Sequence, residues 1–510
     1  MSSATNNKLI LKNTLMLYIR QIIVLFVGLY TSRLILKNLG VVDFGIYNVV
    51  AGVVTILGFL SSSMTTACQR YFSYDIGIKD FNHLSTVYSN SFFVYLMISA
   101  VILLISETVG LWFVRNKLTI PAERLDSAVF VLHVSVVTFI ITIMTIPFTA
   151  IITAYEDMGI YAWMSIYECS IKLILIIGLG FISFDKLKTY SLILLFIPLS
   201  NFFIYQFICC KKYKDLKIKF SLDIYLLKEL FGYIIWNALT GFAGAMYNQG
   251  LNFILNIYCG PVVNSARAIS AQVNGAVVSF AGHFSAAIQP QLIKNYALKD
   301  YEDLYSQLFR GIKLTFALIF ILVLPLSLQI NLVLKFWLGD YPKYTSIFVL
   351  LTLWATCIEV ITYSLDTLNQ ATGKVRLYQF FSSFVTILNI PISIIFLANG
   401  IQPYYVISLY GLLMIVSIII RVLILNKIVE NFNLKLFLAK TILPIIEFVC
   451  VSIPIPYLIN KLNINKVILF FLVVLFSILS VLLAMYFVLL DKNERKTVKV
   501  FIDKKIKRNN

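Results

Sequence analysis

The feature that most constrains this chain is a long series of apolar stretches, each about 20–28 residues long, which is the length a helix needs to cross a bilayer. The stretches lack the strict alternation of a membrane β-barrel. Of the 510 residues, 60% are hydrophobic and only 13% are charged, whereas a soluble domain carries about 25% charged residues. Because so apolar a chain cannot cover itself with polar surface in water, the sequence predicts an all-α integral membrane protein.

About fourteen transmembrane helices are predicted from these stretches. The second, seventh and eighth are rich in Gly, Ser, Asn and Gln, which suits helices that pack against other helices or line a cavity. The predicted spans are 13–36, 41–63, 86–113, 124–149, 160–183, 187–210, 228–257, 262–289, 310–335, 345–370, 375–398, 402–426, 437–459 and 464–490.

The formal net charge of +18 is distributed as in a membrane protein and does not indicate nucleic acid. With the N-terminus inside, about 28 of the 42 Lys and Arg residues fall on the inner side and about 11 on the outer side, as the positive-inside rule expects. Both termini are therefore predicted to be cytoplasmic, and membrane lipids are predicted partners of the basic tail.

An internal repeat is indicated when the chain is shifted by 220 residues. The aligned pairs are Gly40 with Gly260, Val42 with Val262, Ala51 with Ala271, Ala67 with Ala287, and Gln69 with Gln289. Both halves begin on the inner side, so the repeats are predicted to be parallel, and two lobes around a central cavity could rock to expose a site alternately to each side.

The domain prediction follows from this repeat. It comprises an N-terminal six-helix lobe (1–210), a cytoplasmic basic linker (211–227), a C-terminal six-helix lobe (228–426), two extra transmembrane helices (437–490) and a basic cytoplasmic tail (491–510). The longest connections are predicted at 64–85 and 290–309, on the inner side. Since no outer loop is long enough to fold as a catalytic domain, the sequence predicts no enzyme. It also predicts no cofactor and no metal site.

Arginines inside predicted spans indicate a polar cavity, because a charge there needs a partner, water or a function. Arg20 lies within the first span and Arg267 within the eighth. Arginine can grip a pyrophosphate with two hydrogen bonds, and carboxamides can both donate to and accept from sugar hydroxyls. The predicted substrate-binding residues are Arg20, Gln21, Asn248, Gln249, Asn252, Asn256, Arg267, Gln272 and Asn274.

Other charged residues inside spans are candidates for coupling or gating. Glu168 and Lys172 have the i, i+4 spacing of a helical ion pair, and Glu359 and Asp366 are acids of the tenth span that could bind a proton or sodium. Arg421, near the end of a span, is expected to reach the interface with its side chain.

Four segments resemble bacterial lipopolysaccharide-biosynthesis flippases, which are similar to the MATE-like exporters of lipid-linked oligosaccharide and of lipid II. The segments are LYTSRLILKNLGVVDFGIYNVVAGVV at 29–54, AxQRY at 67–71, ETVGLWF at 107–113 and NQGLNFILNIYCGPVVNSARAISAQVNGAV at 248–277.

This resemblance implies two six-helix lobes plus two further helices in the bacterial inner membrane. It implies an undecaprenyl-pyrophosphate-linked oligosaccharide as substrate, flipped to the outer leaflet for lipopolysaccharide, O-antigen or capsule assembly. Glycan polymerase and other assembly proteins are implied partners. Related lipid II flippases carry cavity arginines on the first and eighth helices, where Arg20 and Arg267 lie.

Two other functions are open at this point. A MATE-type multidrug–cation antiporter would need carboxylates in its cavities, and the first, second, seventh and eighth spans have none well inside them. A membrane glycosyltransferase or glycan polymerase would need a carboxylate-bearing outer loop, which this sequence does not offer.

Overall fold

A computed structural model describes the backbone of residues 3–155, 157–213, 224–430, 432–491 and 494–495. Within these ranges, the side chains of 3–23, of 224–240 and of scattered single positions lie outside the description. Throughout the described ranges the regular structure is helical. The all-α part of the predicted fold class is therefore confirmed.

The chain forms two compact units, one of Met1–Ala268 with Asp340–Lys343 and one of Ile269–Gly339 with Tyr344–Asn510. In the first unit, the helices are α1 (Ser3–Thr55), α2 (Gly58–Ile78), α3 (Phe81–Ile105), a π-helical turn (Ser106–Gly110), α4 (Leu111–Asn116), a 3₁₀ turn (Ala122–Arg124), α5 (Leu125–Ala154), α6 (Met158–Leu179), α7 (Lys186–Lys212), α8 (Ile224–Cys259) and the start of α9 (Pro261–Ala297).

The second unit holds the rest of α9 and the remaining helices. These are α10 (Tyr301–Leu338), α11 (Thr345–Glu359), α12 (Ile361–Thr372), α13 (Val375–Ala398), α14 (Pro403–Ile428), α15 (Leu434–Phe437), α16 (Leu443–Ser452), α17 (Pro454–Asn460) and α18 (Lys466–Ala484), with π-helical turns at Leu438–Ile442 and Met485–Leu489. The predicted division into two six-helix lobes has its boundary at 211–227 and therefore differs from the division into these two units. The predicted lobes stay a prediction.

Eleven helices in the described part of the chain are long and apolar enough to cross a membrane. The predicted first and second spans, 13–36 and 41–63, are separated by a corner at Gly40, whose backbone is not helical (φ 78, ψ 172), so α1 consists of two helical segments that meet there. The second segment ends at Thr55, and the last residues predicted for the second span belong to α2. The predicted count of about fourteen spans is neither confirmed nor contradicted.

The 220-residue repeat recurs in the backbone. Gly40 and Gly260 have nearly the same positive φ, 78° and 79°, a conformation open to glycine because it has no Cβ. Lys79 and Lys299 form the second matching pair of positive-φ positions, at 61° and 58°. Since sharp corners fall at equivalent positions in both halves, the structure supports the internal repeat.

The predicted long connections at 64–85 and 290–309 are wrong. α2 continues through Ile78 and α9 through Ala297, so only short turns remain. Asp80 and Asp300 then accept hydrogen bonds from backbone N–H groups in the first turns of α3 and α10, which is the N-cap arrangement. Polar residues in 64–85 and 290–309 suggested loops. They are also compatible with helices that continue beyond the apolar part of the chain.

Close packing of α1 on the start of α9 depends on Gly45. A Cβ added there would lie 2.0 Å from the carbonyl oxygen of Pro261. We expect Gly45→Ala to lower the free energy of unfolding by about 3 kcal/mol, the upper end of the usual cost of overpacking, because two backbones would have to separate. Thermal unfolding in detergent measures this. Gly28→Ala is the matched control on α1, since its Cβ would meet nothing within 4 Å. Equal melting temperatures for the two variants would contradict this packing.

Candidate substrate-binding site

The hairpin of α8 and α9 gathers part of the predicted site within the first unit. Gly260 joins the two helices, and its N–H donates to the carbonyl of Asn256 at 2.8 Å. The tight turn places the end of α8 against the start of α9. We call Gln249, Asn252, Asn264 and Arg267 the hairpin polar cluster.

Hydrogen bonds link this cluster to α1. Gln249 Nε2 donates to Thr55 Oγ1 at 3.1 Å, and Asn252 Nδ2 donates to Gln249 Oε1 at 3.0 Å. Asn264 Nδ2 donates to the carbonyl of Asn252 at 2.8 Å, across the hairpin. Gln249 fits closely over Gly52, where an added Cβ would lie 2.8 Å from Oε1. The carboxamides are therefore held in fixed positions.

Arg267 is the charged member of the cluster. It lies six residues into α9, roughly 9 Å along the axis at 1.5 Å per residue. Only 7% of the residue is exposed, and its guanidinium carbon lies 5.9 Å from the ring centroid of Tyr247. Arg267 makes no ion pair with any side chain that the structure describes.

Among the residues that the structure describes, two buried polar atoms of the cluster have no hydrogen-bond partner, namely Nε of Arg267 and Oδ1 of Asn264. The two residues are three positions apart and therefore share one face of α9. A buried donor or acceptor without a partner costs about 1–3 kcal/mol. A ligand that presents both an anionic oxygen and a hydroxyl would match this pair.

Other predicted ligands point elsewhere. Asn248 Nδ2 donates to the carbonyl of Gly244 in its own helix at 3.1 Å. Asn256 is fully buried, and its Oδ1 accepts from the Thr119 N–H at 2.8 Å. Asn256 therefore anchors the connection between α4 and α5. Asn274 belongs to the second unit, where its Oδ1 accepts from Thr356 Oγ1 at 2.6 Å.

The structure gives less information about the remaining predicted ligands, which are Gln272, Arg20 and Gln21. Gln272 lies on α9 in the second unit and is half-buried. Arg20 and Gln21 lie in α1, but their side chains fall outside the described residues. Their role as substrate ligands stays a prediction.

An ion-pair network neutralises the one acid near the corner of α1. Arg124 forms an ion pair with Asp43, with Nε 2.8 Å from Oδ1. Arg124 Nη1 also reaches Asp185 at 3.3 Å. Burial raises the pKa of Asp185, but hydrogen bonds from Ser127 and from the N–H of Leu187 outweigh it, so this pKa lies below its usual range. Asp43 is consequently occupied and unsuited to capturing a cation.

The predicted pairing of Glu168 with Lys172 does not form a direct ion pair in the described part of the chain. Glu168 Oε2 instead accepts from Asn201 Nδ2 of α7 at 3.3 Å. Its charge acts on Lys172 only over a longer distance. The i, i+4 spacing puts both residues on one face of α6, but a neighbouring helix offers Glu168 a nearer partner.

The acids predicted for coupling lie in the second unit and are engaged by α13 and α14. Asp366 forms an ion pair with Arg421 and accepts from the Tyr378 hydroxyl at 2.7 Å. Glu359 accepts a hydrogen bond from Tyr410. The expectation that Arg421 reaches the interface is wrong, because its side chain is only 12% exposed and is held by Asp366.

The sequence did not identify Thr55 and Tyr247 as parts of the site. Thr55 lies 194 positions from its partner Gln249, and nothing local marks that contact. Tyr247 lies twenty positions before Arg267 on the other arm of the hairpin. The short turn at Gly260 brings the two arms of the hairpin together, and it is the one sequence signal that could have predicted the contact between Tyr247 and Arg267.

Solved structures identify the architecture. The chain is similar to the lipid II flippase MurJ in an inward closed conformation, with a TM-score of 0.69 and 15% identity, over 93% of this chain and 98% of that one. The fold is therefore that of MurJ. An inward-facing MATE-family multidrug resistance transporter of the MOP superfamily matches with a TM-score of 0.58 and 14% identity, over 82% and 96% of the two chains.

A third similar structure is a MOP-superfamily transporter from Pyrococcus furiosus, described as having a binding pocket of reverse polarity. It matches with a TM-score of 0.55 and 13% identity, over 82% of this chain and 97% of that one. The sequence matches no protein-family model and no curated protein. At these identities the likeness shows the fold alone, so the function has to be argued from the site.

Proposed function

We propose that this protein is a flippase that moves undecaprenyl-pyrophosphate-linked oligosaccharide from the cytoplasmic to the outer leaflet by alternating access. The glycan would serve lipopolysaccharide, O-antigen or capsule assembly. No bond is made or broken. The lipid-linked headgroup would contact the hairpin polar cluster while its polyprenyl tail stays in lipid.

The observation that carries this proposal is the buried Arg267, whose Nε has no hydrogen-bond partner in the described part of the chain, as is also true of Oδ1 of Asn264 three positions earlier. A guanidinium that no described carboxylate neutralises favours an anion. In a site of low dielectric constant, this attraction is stronger than in water. The adjacent carboxamides add acceptors and donors for sugar hydroxyls.

The same features argue against a multidrug–cation antiporter. Asp43, the acid of α1, is already paired with Arg124, so capture of a cation there would first have to break that pair. The MOP-superfamily transporter described as having reverse polarity is in keeping with one fold serving substrates of different charge. An enzyme is also disfavoured. The side chains of the hairpin polar cluster are carboxamides and one arginine rather than an acid and a base.

Deletion of the gene in its host tests this function. We expect loss of surface glycan and accumulation of the lipid-linked precursor on the cytoplasmic leaflet, both restored by the intact gene. Increased sensitivity to cationic drugs, with normal surface glycan, would instead indicate the antiporter.

The proposed localisation is the bacterial inner membrane with both termini in the cytoplasm, and glycan polymerase and other assembly proteins are the proposed partners. Single cysteines near Lys117 and Lys343 should react with an impermeant label in intact cells. Cysteines near Lys214 and Lys505 should react only after the cells are opened. Labelling at Lys505 in intact cells would contradict this topology.

A further inference from the structure

Asn264 of α9 is the member of the hairpin polar cluster that offers a free acceptor. Its Nδ2 donates to the carbonyl of Asn252 at 2.8 Å. Because a carbonyl oxygen can only accept, the nitrogen of the Asn264 amide, and not its oxygen, must face Asn252. The residue is 2% exposed, and its Oδ1 has no hydrogen-bond partner among the described residues. This oxygen therefore requires a donor from outside the cluster.

The other carboxamides of the cluster cannot turn to supply that donor without losing a hydrogen bond. Thr55 Oγ1 donates to the carbonyl of Gly52 at 3.4 Å, so it accepts from Gln249 Nε2 at 3.1 Å. Gln249 Oε1 in turn accepts from Asn252 Nδ2 at 3.0 Å. The direction of donation is thus fixed along this chain of groups, and Asn264 lies beyond its end.

The internal repeat indicates that the fold does not require polar side chains at these positions. Shifted by 220 residues, Asn264 and Arg267 fall on Phe44 and Tyr47. Phe44 is buried, and Tyr47 packs edge-on against Tyr190 with ring centroids 4.8 Å apart. Since a buried polar atom without a partner costs stability, the polar pair in the second half favours a ligand over a requirement of the fold.

Arg267 determines which part of a sugar pyrophosphate would reach Asn264. Its Nε lacks a partner in the described part of the chain, and arginine can bind a phosphate through two parallel N–H groups. Side chains three positions apart on a helix have Cβ atoms about 5–6 Å apart. In the first sugar, the carbon that bears the pyrophosphate is bonded to the second carbon. With the phosphate on Arg267, the substituent of that second carbon is the sugar group nearest to Asn264.

We infer that Asn264 selects lipid pyrophosphates whose first sugar carries a hydrogen-bond donor on its second carbon. The inference rests on the proposed function and names the substrate class of the same site. A hydroxyl or an N-acyl amino group supplies the donor, and Asn264 Oδ1 accepts from its O–H or N–H. A deoxy sugar leaves the buried oxygen unpaired, and sites built to bond a substrate hydroxyl or N–H reject analogues that lack it.

Burial of Asn264 strengthens this selection. Water is largely excluded from a residue that is 2% exposed, so it does not readily replace the missing donor. The headgroup reaches the oxygen when the cavity opens, as alternating access requires.

Movement of three synthetic lipids in liposomes tests the selection. Purified full-length protein is reconstituted with undecaprenyl-pyrophosphate disaccharides that carry the same fluorescent label on the second sugar, and an impermeant quencher measures their movement at subsaturating concentration. The first sugar is glucose, N-acetylglucosamine or 2-deoxyglucose, so the lipids differ in one substituent. We expect the hydroxyl and acetamido lipids to move, and the deoxy lipid to move about tenfold more slowly, as loss of one hydrogen bond implies.

Asn264→Leu removes the acceptor and keeps a side chain of similar size. It should move all three lipids at the slow rate of the deoxy lipid, whereas a merely structural defect would slow them in proportion. Asn116→Leu is the matched control, because the exposed Asn116 donates to the carbonyl of Trp112 in its own helix at 2.8 Å, and it should keep the tenfold difference. If Asn264→Leu does not accumulate in the membrane, Asn264→Ser, whose side chain is shorter, takes its place.

Fast movement of the hydroxyl lipid alone, or of the acetamido lipid alone, would support the selection and identify the donor. Equal movement of all three lipids by the unaltered protein would overturn it and leave the flippase standing. A tenfold difference that persists in the Asn264 variant would overturn the assignment to Asn264. If none of the lipids moves, the proposed function is refuted, and this inference with it.

Discussion

Arg267→Ala should reduce export of the lipid-linked glycan by about 100-fold, which corresponds to about 3 kcal/mol of lost charge-assisted hydrogen bonding. The amount of protein in the membrane should stay the same. Arg267→Lys should restore only part of the export, because lysine keeps the charge but lacks the planar fork that binds two phosphate oxygens. Surface glycan and the precursor on the cytoplasmic leaflet are measured in cells complemented with each variant.

Arg115→Ala provides the matched control, since Arg115 is an exposed arginine of the same unit and should complement fully. From the sequence, Arg20→Ala is likewise predicted to abolish export while leaving protein level and membrane insertion intact. If both alanine variants support normal surface glycan, binding of an anion in the first unit is refuted. The similarity of fold would then be the one remaining support for the proposed function.

Arg421→Ala should lower the free energy of unfolding by about 3–5 kcal/mol, the cost of leaving one partner of a buried ion pair without the other. Its side chain is 12% exposed, and that of Asp366 is 32% exposed. The double variant Asp366→Asn, Arg421→Gln should lose much less, because no charge is then left unpaired. Unfolding in bicelles and protein levels in membranes report the difference.

Lys188→Gln is the control for this pair. Its partner Asp126 is 87% exposed, and exposed ion pairs contribute little to stability. Equal losses for the single Arg421 variant and for the double variant would show that the charge pairing is not the source of the effect.

The repeat and the all-α class could be predicted from the sequence because both depend on local properties. Apolar stretches specify helices in a membrane, and Gly40 and Gly260 mark corners that recur in the backbone. Helix ends were less predictable. Hydropathy records where a chain leaves lipid and not where a helix stops, so α2 and α9 continue past the predicted spans.

Partners distant in the sequence explain the remaining differences. Glu168 has a suitable lysine four residues away, yet it bonds to Asn201 of another helix. Arg421 lies near a span end, but Asp366 holds it 55 positions away in the sequence. Asn256 has the residue type of a sugar ligand and instead binds the backbone of Thr119. In each case a tertiary contact decided what the side chain does.

Reconstitution into liposomes tests whether this protein moves an anionic lipid-linked glycan across a bilayer. Purified protein is incorporated with a fluorescent undecaprenyl-pyrophosphate-linked oligosaccharide, and an impermeant quencher or glycan-binding protein measures how much reaches the opposite leaflet. We expect movement of the lipid that depends on the protein and is lost in Arg267→Ala but kept in Arg115→Ala. Uptake of a cationic drug by the same liposomes, with no movement of the anionic lipid, would contradict it.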